Sequence, residues 1–115
     1  MTDPLADVLK GLRRDYLRES AARVAELRAH LDAVERGQEG ALDALRRALH
    51  KLAGSGGSYG FDVVSKSSRD GEQVARRLVE AAAAPTLEDL TALRDAVTRV
   101  DAAFARARAD EASPG

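Results

Sequence analysis

Residues 90–107, LTALRDAVTRVDAAFARA, carry the clearest structural pattern in the chain. Apolar side chains recur there at alternating steps of three and four residues, at Leu90, Leu93, Val97, Val100, Phe104 and Ala107. This spacing places one apolar stripe along one face of an α-helix. Three more stretches with related spacing begin near Leu17, Leu42 and Phe61. The sequence therefore predicts an all-α protein whose helices bury these stripes against each other.

Turn and cap signals divide the chain between these stretches. Gly37 and Gly40 predict a turn, and the segment 54–60 (GSGGSYG) predicts the last turn of a helix and a tight connection. Thr86 and Asp89 resemble a capping box at the start of the last helix. Four amphipathic helices joined by short loops favour an antiparallel up-down-up-down four-helix bundle.

The two ends of the chain lie outside this core pattern. Asp3 followed by Pro4 predicts the start of a helix. A break near Gly11 would give a short extra N-terminal helix, and the question stays open because one glycine costs a helix only about 1 kcal/mol. We expect residues 1–110 to form a single domain and residues 111–115 to be a disordered tail.

Composition excludes several classes of protein. The 115 residues include no cysteine, which argues against disulfide scaffolds, zinc ribbons and thiol chemistry. A balance of 18 Lys+Arg against 19 Asp+Glu, with 3% aromatic residues, argues against nucleic acid as a partner. No apolar run approaches the roughly 20 residues of a membrane span, and the first residues do not resemble a signal peptide. We expect a cytoplasmic monomer.

The candidate for chemistry is His50, which lies about 120° around the helix from the apolar stripe and should face water. Its surroundings combine small residues, which leave room for a second protein, with cations that would offset the charge of an anion. The small residues are Ala53, Gly54 and Gly57, and the cations are Arg46, Arg47 and Lys51. A phosphorylated histidine requires such an accessible nucleophile with positive charge nearby.

Other candidates have simpler explanations. His30 borders an apolar stripe without small neighbours, so we expect it to be a partly packed structural residue. The glycines of segment 54–60 fit neither a Walker A motif nor a dinucleotide fingerprint. Ser67, Ser68 and Gly71 interrupt the stripe of the third helix with small residues, which indicates close helix packing.

The segment His50–Ser55 (HKLAGS), together with Gly60, resembles the signature of the histidine phosphotransfer (HPt) family. The resemblance implies a four-helix bundle with His50 as the phosphoacceptor, which takes a phosphoryl group from a receiver-domain aspartyl phosphate and relays it to another receiver. It also implies that Gly54 keeps the path to His50 open and that Gly60 permits the sharp turn before the next helix. Many members have Lys where this chain has Ala53, so which of the three cations takes that place stays open.

The resemblance also defines the expected partners. These are response-regulator receiver domains, including that of a hybrid histidine kinase, in a bacterial two-component phosphorelay. Mg²⁺ would belong to the receiver, so we expect no cofactor and no metal site on this chain, which would carry phosphate without autonomous kinase activity. The alternative is a helical docking module that binds a receiver or kinase without being phosphorylated, and a His50→Gln variant would discriminate the two.

Overall fold

The computed structural model describes residues 3–112, and the regular structure in this range is entirely α-helical. The predicted all-α fold is therefore confirmed. The helices are α1 (Pro4–Arg18), α2 (Ser20–Glu35), α3 (Ala41–Ser58), α4 (Asp62–Ala81) and α5 (Leu87–Ala112).

Helices α2 to α5 form the four-helix bundle, in which each helix packs against the next and α5 closes against α2. Adjacent helices run antiparallel. On α3 and α4, Gly56 lies against Val64 while Leu49, two turns earlier, lies against Gly71. On α2 and α5, Arg28 pairs with Asp101 at 2.9 Å, and Glu35 at the end of α2 pairs with Arg94, which comes before Asp101 on α5. This is the predicted up-down-up-down arrangement.

Helix α1 is the extra N-terminal helix that the sequence left open. It begins as predicted, with the Asp3 carboxylate accepting a hydrogen bond from the Leu5 amide at 3.0 Å and Pro4 in the first turn. It runs through Gly11 without a break and ends at Arg18. The interruption falls at Glu19, beside a buried Ser20 hydroxyl that donates to the Leu17 carbonyl at 2.6 Å. A serine that bonds to the preceding turn in this way competes with the regular helical pattern.

All four aromatic residues of the chain cluster at one end of the bundle. The ring of Tyr16 lies 4.7 Å from Tyr59, 5.7 Å from Phe61 and 5.9 Å from Phe104, centre to centre. The Tyr16 hydroxyl is 2.7 Å from that of Ser55, and burial raises the pKa of Tyr16 above its ordinary value of 10.0. This cluster fixes the end of α1 to the end of α3.

The connection between α3 and α4 is shorter than the glycine-rich segment suggested. Helix α3 continues through Gly54, Gly56 and Gly57, so only residues 59–61 link the two helices. Gly60 has a φ of +83°, in the left-handed region that favours glycine, which agrees with its expected place in the turn. A Cβ on Gly56 would lie 3.0 Å from the Val64 side chain, so glycine there permits close approach of α4.

Small residues bring α4 close to two neighbours, as the sequence indicated. A Cβ on Gly71 would lie 3.0 Å from the Ala96 Cβ on α5 and 3.1 Å from Leu49 on α3. Ser67 and Ser68 are buried on the same helix. This close contact brings the side chains of α4 within reach of those that α3 carries.

The C-terminal helix extends beyond its predicted end. Helix α5 reaches Ala112, and Glu111 pairs with Arg14 of α1 at 3.2 Å, so the predicted disordered tail is wrong for residues 111 and 112. Residues 113–115 lie outside the described part of the chain.

Candidate functional site

His50 lies in the middle of α3 and projects away from the core. Its side chain is 68% exposed, whereas its neighbour Leu49 is fully buried and Leu52 is nearly so. The apolar stripe of α3 holds the helix against the bundle and turns His50 outward. The prediction that His50 faces water is confirmed.

The imidazole is fixed from one side by α4. The His50 Nδ1 lies 2.7 Å from the Oε2 atom of Glu72, whose side chain is only 8% exposed. An ionised carboxylate only accepts hydrogen bonds, so this contact places the proton of a neutral imidazole on Nδ1. The Nε2 atom then carries the lone pair, and the ring presents a nucleophilic nitrogen.

Arg76 forms the second contact of Glu72. Its Nη2 atom lies 2.9 Å from the same Oε2 atom, one helical turn farther along α4. Burial of a carboxylate costs free energy unless the group is paired and hydrogen-bonded. The Glu72 carboxylate accepts hydrogen bonds from both the His50 imidazole and the Arg76 guanidinium. His50, Glu72 and Arg76 therefore form a three-residue chain across the surface between α3 and α4.

Glu72 and Arg76 were not among the residues predicted from the sequence. The available signal was weak: Glu72 follows Gly71 and lies on the side of α4 that also carries the buried Ser68 and Ala75. A charged residue beside a buried stripe needs a partner. His50 lies 22 residues away, and only the packing of two helices brings them together.

Of the three small residues beside His50, two are exposed and one is buried. Gly54 is exposed, and a Cβ built there would meet nothing within 4 Å. Gly57 is also exposed and lies near the Ser65 side chain. Ala53 is 6% exposed, and its carbonyl accepts a hydrogen bond from the Ser65 hydroxyl at 2.7 Å. The expectation that Ala53 belongs to the open surface is therefore wrong, because α4 covers that side of α3.

The three predicted cations lie in two different places on α3. Arg46 and Arg47 both pair with Asp43, at 2.8 and 3.2 Å, which offsets part of their charge. Lys51 lines a groove between α3 and α2 together with Glu26, so it lies on another side of α3 from Glu72. The cation tied to His50 through a shared carboxylate is Arg76, which none of the predictions included.

His30 lies apart from this site, on α2. The His30 side chain is 29% exposed and lies 3.5 Å from Glu26, in agreement with a partly packed structural residue. Within residues 3–112, no three His, Asp or Glu side chains are grouped so that they could hold a metal ion. None of the helices in that range is long and apolar enough to cross a membrane.

Fold and site together define a class of protein: a small antiparallel helical bundle that presents an exposed, hydrogen-bonded histidine on the second helix of the bundle. The sequence model of the Hpt domain family matches residues 11–103, which is most of the chain. The protein therefore belongs to the Hpt domain family, and this membership implies a role in histidine phosphotransfer. No curated protein and no solved structure was found to match it.

Proposed function

We propose that His50 is the phosphoacceptor of a phosphorelay carrier, which takes a phosphoryl group from the aspartyl phosphate of one receiver domain and passes it to another. The observation that carries this proposal is the exposed imidazole with Nδ1 held by Glu72, because it leaves Nε2 as the nucleophilic nitrogen. Family membership supports the same class of chemistry.

The transfer step follows from this geometry. The Nε2 lone pair attacks the phosphorus of the aspartyl phosphate, and the Nε2–P bond forms as the bond from phosphorus to the aspartate oxygen breaks. The aspartate leaves as a carboxylate with the bonding electron pair. The proton on Nδ1 stays in place, so the imidazole ring becomes positively charged as the bond forms. Transfer to the second receiver is the reverse reaction.

Glu72 stabilises that developing charge. Its carboxylate already accepts from Nδ1, and the hydrogen bond strengthens as the ring becomes cationic. Because the Glu72 side chain is buried and already contacts Nδ1, the carboxylate does not have to reorient during the reaction. Its part in the mechanism resembles that of the carboxylate that orients a catalytic histidine in a hydrolase triad.

The remaining groups would come from the receiver. Phosphoryl transfer depends mainly on positioning and on neutralisation of phosphate charge, and Mg²⁺ bound to the receiver would provide the latter. On this chain, the open space at Gly54 gives the receiver access to His50. The protein thus contributes a nucleophile and a docking surface, and no kinase activity of its own.

A transfer assay tests this proposal. Receiver domains are first labelled on their aspartate and separated from the phosphate donor that labelled them. They are then mixed with the protein and Mg²⁺. We expect an acid-labile, base-stable label on the wild-type chain and none on His50→Gln. The matched control is His30→Gln, which removes the other histidine of the chain and should be labelled like the wild type.

Two outcomes would contradict the proposal. Equal labelling of wild type and His50→Gln would place the phosphoryl group on another residue. Binding of a phosphorylated receiver to both proteins with no labelling of either would identify a docking module that is not phosphorylated.

A further inference from the structure

We propose that Arg76 is a positioning residue that keeps His50 neutral by balancing the charge of Glu72. This inference rests on the proposed function of His50 and adds to it a requirement on the state of the imidazole. The attacking nitrogen must lack a proton, so only the neutral ring reacts.

One oxygen atom of Glu72 has two hydrogen-bond donors. The Glu72 Oε2 atom accepts from both the His50 Nδ1 at 2.7 Å and the Arg76 Nη2 at 2.9 Å. The Glu72 side chain is 8% exposed, so its negative charge is poorly solvated and must be offset by these two donors. A guanidinium is permanently charged, whereas an imidazole is charged only when it binds a second proton.

With Arg76 present, the buried carboxylate has a full positive charge beside it and the imidazole need not supply one. Without Arg76, His50 is the remaining hydrogen-bonded partner of Glu72, and the carboxylate then favours the doubly protonated ring. That ring carries a proton on Nε2 and is not a nucleophile. Removal of Arg76 should therefore reduce the reactive fraction of His50 at neutral pH.

The other cations around His50 have different partners from Arg76. Lys51 lines the groove towards α2, and Arg69 on α4 donates to the Ser65 hydroxyl at 3.4 Å. On α3, Arg46 and Arg47 lie within one turn of His50, but both pair with Asp43. Helix α4 is the element that packs beside His50, and there Glu72 and Arg76 form the contacts of the imidazole and its carboxylate. Arg76 is 48% exposed, so solvent screens part of its effect.

The experiment compares Arg76→Ala, Arg76→Lys and the control Arg77→Ala. Arg77 is the next residue of α4 and pairs with Asp89 instead of Glu72. Two measurements are made: the initial rate of label transfer to His50 at pH 7 and pH 8.5, and the ¹⁵N chemical shifts of the His50 ring at pH 7 without phosphorylation. Circular dichroism establishes that each variant is folded.

We expect Arg76→Ala to transfer about fivefold more slowly than wild type at pH 7, as for loss of a partly exposed charged contact. The difference should narrow at pH 8.5, and the ¹⁵N shifts should show a larger imidazolium fraction at pH 7. Arg76→Lys should recover most of the wild-type rate, and Arg77→Ala should match wild type in both measurements.

Either of two results would overturn the inference. The first is an Arg76→Ala protein with unchanged ¹⁵N shifts, whatever its rate, because Arg76 would then act on the partner or the phosphoryl group and not on the ring. The second is a wild-type rate for this variant at pH 7. Failure of the proposed function is distinguishable, because it appears as an unlabelled wild type while the ¹⁵N measurement still reports on Arg76.

Discussion

Gly54 leaves open space on the surface of α3 near His50. It sits inside α3, one turn after His50, at a position where a side chain would touch nothing in the protein. Glycine costs a helix interior about 1 kcal/mol relative to alanine, so this position gives up stability without a packing reason. Under the proposed function, access of a receiver to His50 is the reason for that loss.

We therefore predict opposite effects of Gly54→Leu on stability and on transfer. The free energy of unfolding should rise by up to about 1 kcal/mol, because leucine favours helix and meets no clash. Transfer from a receiver should fall at least about tenfold, because the side chain would occupy the approach to His50. Urea unfolding and the labelling assay measure the two effects.

Gly11→Leu is the matched control for this substitution. Gly11 also lies inside a helix with open space around it, but on α1. The control should keep the wild-type transfer rate. A Gly54→Leu protein that transfers as fast as this control would exclude a role for Gly54 in access.

Glu72 offers a second test at the scale of single residues. Glu72→Gln retains an oxygen that accepts from Nδ1 but removes the negative charge, so the tautomer of His50 persists while the developing cation loses stabilisation. We predict transfer about tenfold slower than wild type, with no recovery at higher pH, in single-turnover measurements. A wild-type rate in this variant would show that the Glu72 charge does not contribute.

At the scale of elements, the start of α5 is held by reciprocal hydrogen bonds. The Asp89 carboxylate accepts from the Thr86 amide at 2.9 Å, while the Asp89 amide donates to the Thr86 hydroxyl at 3.1 Å. The predicted capping box is therefore confirmed. The Thr86 amide, followed by the Arg77 side chain at 2.8 Å, lowers the pKa of Asp89 below its ordinary value of 3.8.

This lowered pKa predicts a pH-dependent contribution to stability. A carboxyl with a lower pKa in the folded state stabilises the protein above the ordinary value, and the contribution is lost as pH falls through the folded-state pKa. Wild type should therefore be more stable than Asp89→Asn at pH 7, and the difference should shrink as the pH is taken below 3.8. Urea unfolding at a series of pH values measures it.

Asp95→Asn provides the comparison on the same helix. Asp95 is exposed and lies two turns beyond the cap. Its substitution should leave the pH dependence of unfolding close to that of wild type. A constant difference between wild type and Asp89→Asn across the pH series would show that the Asp89 charge does not stabilise α5.

At the scale of the whole molecule, the core and the N-terminal helix differ sharply in burial. The bundle buries Leu49 completely, whereas Leu9 on α1 is 49% exposed. Leu5, Val8 and Leu12 of the same helix are also exposed. The described contacts of α1 with the rest of the protein lie in its second half, where Arg13 packs over Phe61, Arg14 pairs with Glu111, and Tyr16 and Leu17 are buried. The first turns of α1 should therefore contribute little to the stability of the fold.

Two leucine-to-alanine substitutions, one in the core and one on α1, test this difference in burial. Leu49→Ala should lower the free energy of unfolding by about 2–5 kcal/mol, because it opens a cavity in a packed core. Leu9→Ala should change it by less than about 0.5 kcal/mol. Urea unfolding followed by circular dichroism gives both values, and similar losses for the two variants would mean that α1 is packed in solution.

Much of the molecule follows from local patterns in the chain. The spacing of apolar residues predicts the helices and turns His50 outward, since a helix repeats every 3.6 residues whatever it packs against. Cap residues such as Asp3 and Thr86 predict helix starts, because the hydrogen bonds involved join neighbours within three residues.

Other features depend on how the helices pack, which local spacing does not specify. Glu72 reaches His50, Ala53 becomes buried and Lys51 faces α2 because of the rotation and register of α3 against its neighbours. Arg76 joins this group through its contact with Glu72. The break at Glu19 likewise reflects contacts of a buried serine. Periodicity thus determines which face of a helix is apolar, whereas tertiary packing determines which polar residues meet across two helices.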